Sequence, residues 1–152
     1  MPLFEFAEQA EIEVDTSEVF KALLDMNKWS VWWPGHVNKI RGDDRVIQNG
    51  SVVDIKVKGY SPITISFIAK IIDLVENQSI KAEWSGDLVG LTEWTLEAIN
   101  GKTLVGFHIK ARSNRLLITL FSIFLNPTKI FSKIMQSGFE GLQRYLEKEK
   151  RS

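Results

Sequence analysis

The chain has 152 residues, 44% hydrophobic and 25% charged, and its 19 basic and 19 acidic residues cancel to a formal net charge of zero. That length and composition fit one soluble globular domain, residues 1–152, with a core large enough to need no covalent staples; the absence of cysteine excludes disulfides and thiol catalysis. No apolar run reaches the roughly 18 residues of a spanning helix, and the opening MPLFEFAEQAEIEVD has neither a basic leader nor an apolar core, so the expected location is the cytoplasm.

The zero total hides a segregation. Glu5, Glu8, Glu11, Glu13, Asp15, Glu18 and Asp25 make the first segment acidic. From Ala98 to Phe139 there is no acid, only Lys102, Lys110, Arg112, Arg115, Lys129 and Lys133. Such a block attracts an anionic surface only if folding gathers it into one patch.

In chain order, Phe4, Phe6, Ala10, Ile12 and Val14 alternate with Glu5, Gln9, Glu11 and Glu13, which predicts a strand with one buried face. Glu8 falls in the apolar phase. A bulge at Ala7 or Glu8 that turns it outward is the expected solution, and an inward carboxylate is the alternative. Asp15 and Glu18 form a capping-box-like start to a short helix that ends near Met26 and gathers Val19, Phe20, Leu23 and Leu24 on one face. The next stretch, NKWSVWWPGH, holds three of the five tryptophans and closes on Pro-Gly, so a second short helix or turn is expected before a strand from Val37 to Arg41.

The alternation then becomes regular. Val53, Ile55 and Val57 oppose Asp54, Lys56 and Lys58, and after a turn at Gly59 to Pro62, Ile63, Ile65, Phe67, Ala69 and Ile71 oppose Thr64, Ser66 and Lys70. A turn at Glu76-Asn77-Gln78 leads to Ile80, Ala82 and Trp84 on one face, and then to a glycine-bounded loop from Gly86 to Gly90. Asn100-Gly101 is the strongest hairpin signal in the chain. If Ile99 pairs with Lys102, Trp94 faces Phe107 and Thr92 faces Ile109 on an apolar side, while Glu93 faces His108 on the other. That register makes Glu93 and His108 a solvent-facing pair and not a general acid/base dyad.

The last element is an amphipathic helix of about six turns, with Asn126 at its cap and Pro127 in its first turn. Ile130, Phe131, Ile134, Met135, Phe139, Leu142, Tyr145 and Leu146 recur at helical spacing, and Lys129, Lys133, Gln136, Glu140, Gln143, Arg144 and Glu147 take the opposite side. Gly138 lies in the apolar face although glycine costs about 1 kcal/mol there relative to alanine. Something needs the space. A ligand is the expected occupant, and on that reading Gly138→Ala stabilises the fold. The element order implies an α+β domain: a curved antiparallel sheet of six or seven strands wrapped around the C-terminal helix, two short helices after the first strand, and a cavity between.

In this order, IEVDTSEVFKALLDMNKWSVWWPG, the hairpin GDLVGLTEWTLEAINGKTLVGF and the closing FEGLQRYL resemble the START-like or Bet v 1-like (SRPBCC) superfamily, nearest its bacterial polyketide cyclase/dehydrase branch. The resemblance covers nearly the whole chain. It implies the helix-grip fold and an internal apolar cavity that holds lipids, sterols, polyketides, isoprenoid-like or other hydrophobic molecules. The ligand-lining candidates are Trp33, His36, Ile55, Ile65, Phe67, Trp84, Thr92, Trp94, Phe107, Phe131, Ile134, Met135, Gly138 and Leu142, and Glu8, His36 and Thr92 are the inward polar candidates.

No catalytic set is assigned. Two distant histidines without cysteine offer no metal-ligand spacing, no phosphate loop or Gly-x-Ser-x-Gly occurs, and no cofactor is implied. A neutral chain whose aromatics fall inward is not a nucleic-acid binder. The leading expectation is a binding or carrier protein for a hydrophobic small molecule. A cyclase, dehydratase or hydrolase acting on such a molecule is the alternative, and a protein-interaction module is a third. The apolar stretch that begins at Leu116 and ends at Leu125 is either the end of the last strand with a buried lid, or a flap between cations that touches an anionic membrane and holds the protein peripherally there.

Overall fold

The structure is a computed structural model and describes residues 3–33, 37–42, 47–58, 64–113 and 127–151. Its elements are β1 (Leu3–Ile12), α1 (Thr16–Leu24), a 3-10 turn (Met26–Lys28), α2 (Trp29–Trp32), β2 (Val37–Gly42), β3 (Val52–Lys58), β4 (Thr64–Val75), β5 (Ser79–Gly86), β6 (Leu88–Ile99), β7 (Lys102–Ser113) and the long helix α3 (Pro127–Arg151). The seven strands form one antiparallel sheet in the order β1-β7-β6-β5-β4-β3-β2. β2 to β7 are a meander, and β1 closes onto β7. The chain therefore passes from one edge of the sheet to the other through α1 and α2, and the sheet curls around α3.

The β6–β7 register follows from its turn. Asn100 and Gly101 both take positive φ, 50° and 81°, as a two-residue hairpin loop requires, and Ile99 pairs with Lys102, Trp94 with Phe107 and Thr92 with Ile109. The concave face is read off this pairing: Thr103, Val105, Phe107, Ile109 and Ala111 of β7 are all buried, as are Trp94 and Leu96 of β6 and Ile80 and Ala82 of β5. On β4 the inward phase runs through Phe67, Ala69 and Ile71, then shifts at an irregularity before Asp73 so that Leu74 meets Ile80. The expected loop after Gly86 is shorter than its glycines imply. β6 begins at Leu88, and Asp87 serves as a strand partner for Ser66, accepting from its backbone N at 2.8 Å and donating its own N–H to the Ser66 carbonyl at 3.0 Å.

Asp15 caps α1 through its carboxylate, which accepts from the backbone N of Ser17 at 3.3 Å and from the Ser17 hydroxyl. The helix ends at Leu24, earlier than expected, and its buried face is Val19, Phe20, Ala22 and Leu23. Fully buried Thr103 pins this corner to the hairpin end: its hydroxyl donates to the Val14 carbonyl at 2.7 Å and lies 3.1 Å from the Thr16 hydroxyl.

β1 has no bulge. Its pairing with β7 is continuous from Leu3↔Arg112 to Ile12↔Thr103, so Glu8 keeps the inward phase of Phe6, Ala10 and Ile12. The same pairing dissolves the charge segregation, because the acid-rich first strand lies beside the acid-free last one. Glu5 Oε1 is 2.8 Å from His108 Nε2, and Glu13 is 3.3 Å from Lys102 Nζ. Exposed pairs of this kind stabilise little, but they divide the basic block between partners.

α3 lies against β1 and α2. A Cβ on Gly138 would sit 2.6 Å from Cε2 of Trp33, and one on Gly141 would collide with the Trp32 carbonyl oxygen. The space beside Gly138 is thus filled by an indole of this chain and not left for a ligand. The Trp33 ring is held there, since its Nε1 donates to the Ile134 carbonyl at 3.0 Å. Overpacking costs about 1–3 kcal/mol, against a helix-propensity gain of about 1 kcal/mol, so Gly138→Ala is expected to lower the urea midpoint, reversing the effect that helix propensity alone predicts. A raised midpoint would show that the notch is open.

Candidate functional site

All five tryptophans belong to one run of ring contacts across the concave face. Trp32 and Trp33 stack at 5.5 Å and 12°, Trp29 meets Trp32 at 5.9 Å and Trp94 edge-on at 5.8 Å, Trp94 meets Phe107 at 4.8 Å, and Trp84 lies 6.4 Å from Phe107. Trp84 also stacks on Phe67 at 3.8 Å, and α3 adds Phe139, edge-on to Trp94 at 6.3 Å. Offset and edge-on pairs like these hold rings in fixed orientations as well as burying them.

The two ends of the run differ. At the α2 end Trp29, Trp32, Trp33 and Trp94 are all buried. Toward the end of the sheet where β1 and α3 begin, Val57, Ile65, Trp84 and Phe131 pack on the core but are only partly buried. Val57 and Ile65 are direct cross-strand partners, Trp84 pairs with Gly90 and Ala69, and Phe131 lies 6.1 Å from Phe6 on β1.

The indole donors are equally uneven. Trp29 Nε1 donates to the Leu23 carbonyl at 3.1 Å, and Trp33 Nε1 to that of Ile134. Trp32 is 3% exposed, and among the described residues its Nε1 has no partner. A buried donor without an acceptor carries an uncompensated desolvation cost of about 1–3 kcal/mol.

Polar groups on the concave face are few. Thr92 is buried and reaches the Ala82 carbonyl only at 3.5 Å. On β3 to β7 that face carries no charged residue among those described, whereas on β1 it carries Glu8. Ser132 Oγ donates to Glu8 Oε2 at 2.6 Å, and Gln136 Nε2 is 3.5 Å from Ser132 Oγ.

Of the sequence-stated candidates, Ile55, Phe67, Thr92, Trp94 and Phe107 lie buried on the concave face, with Ile65 and Trp84 half-buried beside them. Ile134, Met135 and Leu142 are buried on the facing side of α3, and Phe131 is partly so. Trp33 and Gly138 touch each other and close the α2 end. His36 lies outside the described residues, as does the stretch from Leu116 to Leu125.

Trp29, Trp32 and Ser132 are missed by the sequence reading. For Ser132 a signal exists: it is a hydroxyl that precedes Met135, Phe139, Leu142 and Leu146 on one helical row. On the convex face Glu93 and His108 oppose each other as the hairpin predicts, yet each pairs elsewhere. Glu93 is 3.7 Å from Lys81, and His108 bonds to Glu5. The His108 hydrogen bond is the largest influence on the exposed Glu5 carboxyl and holds its pKa below the ordinary value of 4.5. The contribution of the Glu5 carboxylate to stability is therefore present above that value and is lost as pH falls through the lower folded one.

A family described as polyketide cyclase/dehydrase and lipid transport matches residues 4–147. Among solved structures, the chain is similar to the Zhui aromatase/cyclase from a Streptomyces species at 10% identity and TM-score 0.80, covering 99% of this chain and 98% of that one. It is also similar to a protein from Thermus thermophilus, at 11% identity and TM-score 0.78 over 93% and 95% of the two chains. Ginseng major latex-like protein 151 from Panax ginseng follows the same fold at 12% identity and TM-score 0.73, over 94% of this chain and 97% of that one. No curated protein sequence matches significantly.

The indole bonds rank three substitutions. Trp33→Phe and Trp29→Phe each delete a buried hydrogen bond, and Trp32→Phe deletes a donor that has none. At comparable loss of ring volume, Trp32→Phe is expected to cost about 1 kcal/mol less than either of the others in urea unfolding. Equal costs would mean that the Trp32 indole is satisfied in solution.

Proposed function

Because the chain belongs to the polyketide cyclase/dehydrase and lipid-transport family, we propose that it binds or carries a hydrophobic small molecule of the lipid, polyketide or isoprenoid kind between the concave face and the first half of α3. The observation that supports this reading most is the half-buried apolar group at that end. Val57, Ile65, Trp84 and Phe131 face the space between sheet and helix without being fully covered, while the α2 end is close-packed. Apolar surface left concave and uncovered gains free energy when an apolar ligand removes it from water, at about 25 cal/mol per Å². The stacked Trp84 and Phe67 rings give such a ligand a flat wall. A cyclase, dehydratase or hydrolase acting on the same ligand is the second reading. Glu8, a charged group on this face, is the observation that favours it.

The expected outcome is that the purified protein binds Nile red, and that Trp84→Ala with Ile65→Ala weakens binding by at least about tenfold, since two large apolar contacts are removed. Val31→Ala, at a side chain 63% exposed on α2, leaves binding unchanged. A wild type that ignores the dye, or a double variant that binds it equally, rejects this location.

Contact with an anionic membrane through the stretch from Leu116 to Leu125 is part of the same proposal and rests on its sequence: only Thr119 and Ser122 are polar, with Arg112, Arg115, Lys129 and Lys133 on its flanks. No helix among the described residues is long and apolar enough to cross a membrane. Each cation near an anionic surface adds about 1 kcal/mol of attraction. Co-sedimentation with vesicles containing phosphatidylserine is expected at low salt, reduced by added salt through screening and reduced further by Phe121→Asp with Phe124→Asp in protein that remains folded. If the wild type ignores those vesicles, or if the double variant unfolds, the stretch is core.

A further inference from the structure

Glu8 is out of keeping with its place. It follows Phe6 on the inward face of β1 and lies across from Phe107 on β7, while Phe131, next to Ser132 on α3, packs at 6.1 Å from Phe6. Glu8 is half-buried there, and the hydration it gives up has to be replaced by hydrogen bonds. The strand could have avoided this with a bulge, and its register runs on without one.

The structure satisfies half of the group. Ser132 Oγ donates to Oε2 at 2.6 Å, and among the described residues no other partner reaches the carboxylate. An ionised carboxylate accepts at both oxygens and donates at neither. Oε1 is left as an acceptor on the sheet row of Phe107 and Trp94, where the Phe107 ring lies 6.4 Å from half-covered Trp84.

We infer that Glu8 and Ser132 form the polar subsite of the proposed ligand site and receive a hydrogen-bond donor, a hydroxyl or an ammonium, on an otherwise apolar molecule. This rests on the binding reading above and narrows its ligand class. Hydroxylated aromatic or alicyclic molecules suit the site, because their donor meets Oε1 while their body lies toward Phe107 and the Trp84 ring 6.4 Å from it. An ammonium suits it for the same reason, and the ring faces add cation attraction. A fatty-acid carboxylate does not, since it brings a second negative charge to an acceptor-only group.

Three probes of one shape separate these cases: 1-naphthol, 1-naphthylmethylammonium and 1-methylnaphthalene, titrated against tryptophan fluorescence. Wild type is expected to bind naphthol at least about tenfold more tightly than methylnaphthalene, as a hydrogen bond to a charged group supplies. Glu8→Leu should bring the two within about twofold by weakening naphthol alone. Glu8→Gln keeps a neutral acceptor, so it should spare naphthol more than the ammonium, which identifies the donor that the charge serves. Where Glu8→Leu does not fold, Ser132→Ala takes its place and should narrow the naphthol preference, because it frees the carboxylate from its set position. Equal wild-type affinity for naphthol and methylnaphthalene overturns the subsite and leaves the apolar site standing. Failure of all three probes to bind overturns the site itself, and the subsite with it.

Discussion

The arrangement depends on how closely α2 approaches α3. Gly138 and Gly141 remove two side chains from adjacent turns of the long helix. Into that notch go the Trp33 ring and the Trp32 backbone, locked by the indole bond to the Ile134 carbonyl. With α2 on one side and β1 on the other, the helix is fixed in both position and rotation over the curved sheet. Met135, Phe139 and Leu142 are then committed to the core, and the row that contains Ser132 is brought against β1. The remaining tryptophans extend the same contact across the sheet, so the close-packed end and the half-covered end are two consequences of one anchor.

Much of the fold is legible in the sequence because it rests on local signals. Asn100-Gly101 dictates a turn with two positive φ values, the turn dictates the β6–β7 register, and the register assigns every side chain of both strands to a face. The helix is legible from its apolar spacing. What pattern cannot supply is the partner across space. Gly138 read alone signals a need for room, and a ligand and an indole create the same need. The indole comes from Trp33, about a hundred residues earlier in the chain. The paired charges show the same limit: Glu93 faces His108, yet β1 arrives beside β7 and offers Glu5 instead.

Glu8 shows where pattern reasoning fails in an informative way. An acid in the apolar phase of a strand is normally rescued by a bulge, and here β1 keeps its register against β7. The cost is met by one serine on the helix. Strand and helix thereby place a charged group on a concave surface that, on β3 to β7, carries no other charge among the described residues. Along β1 and β7 the acidic and basic blocks that stand apart in the sequence lie side by side, so that part of the segregation carries no comparable meaning.

The central claim, that ligand enters the half-covered end while the α2 end stays packed, is tested most directly by the five indole N–H signals in a nitrogen-15 correlation spectrum during titration with 1-methylnaphthalene. Trp84 is predicted to shift first and furthest, with Trp29 and Trp33 unmoved because their N–H groups are tied to the Leu23 and Ile134 carbonyls. Movement of Trp29 and Trp33 with Trp84 unchanged would contradict the account.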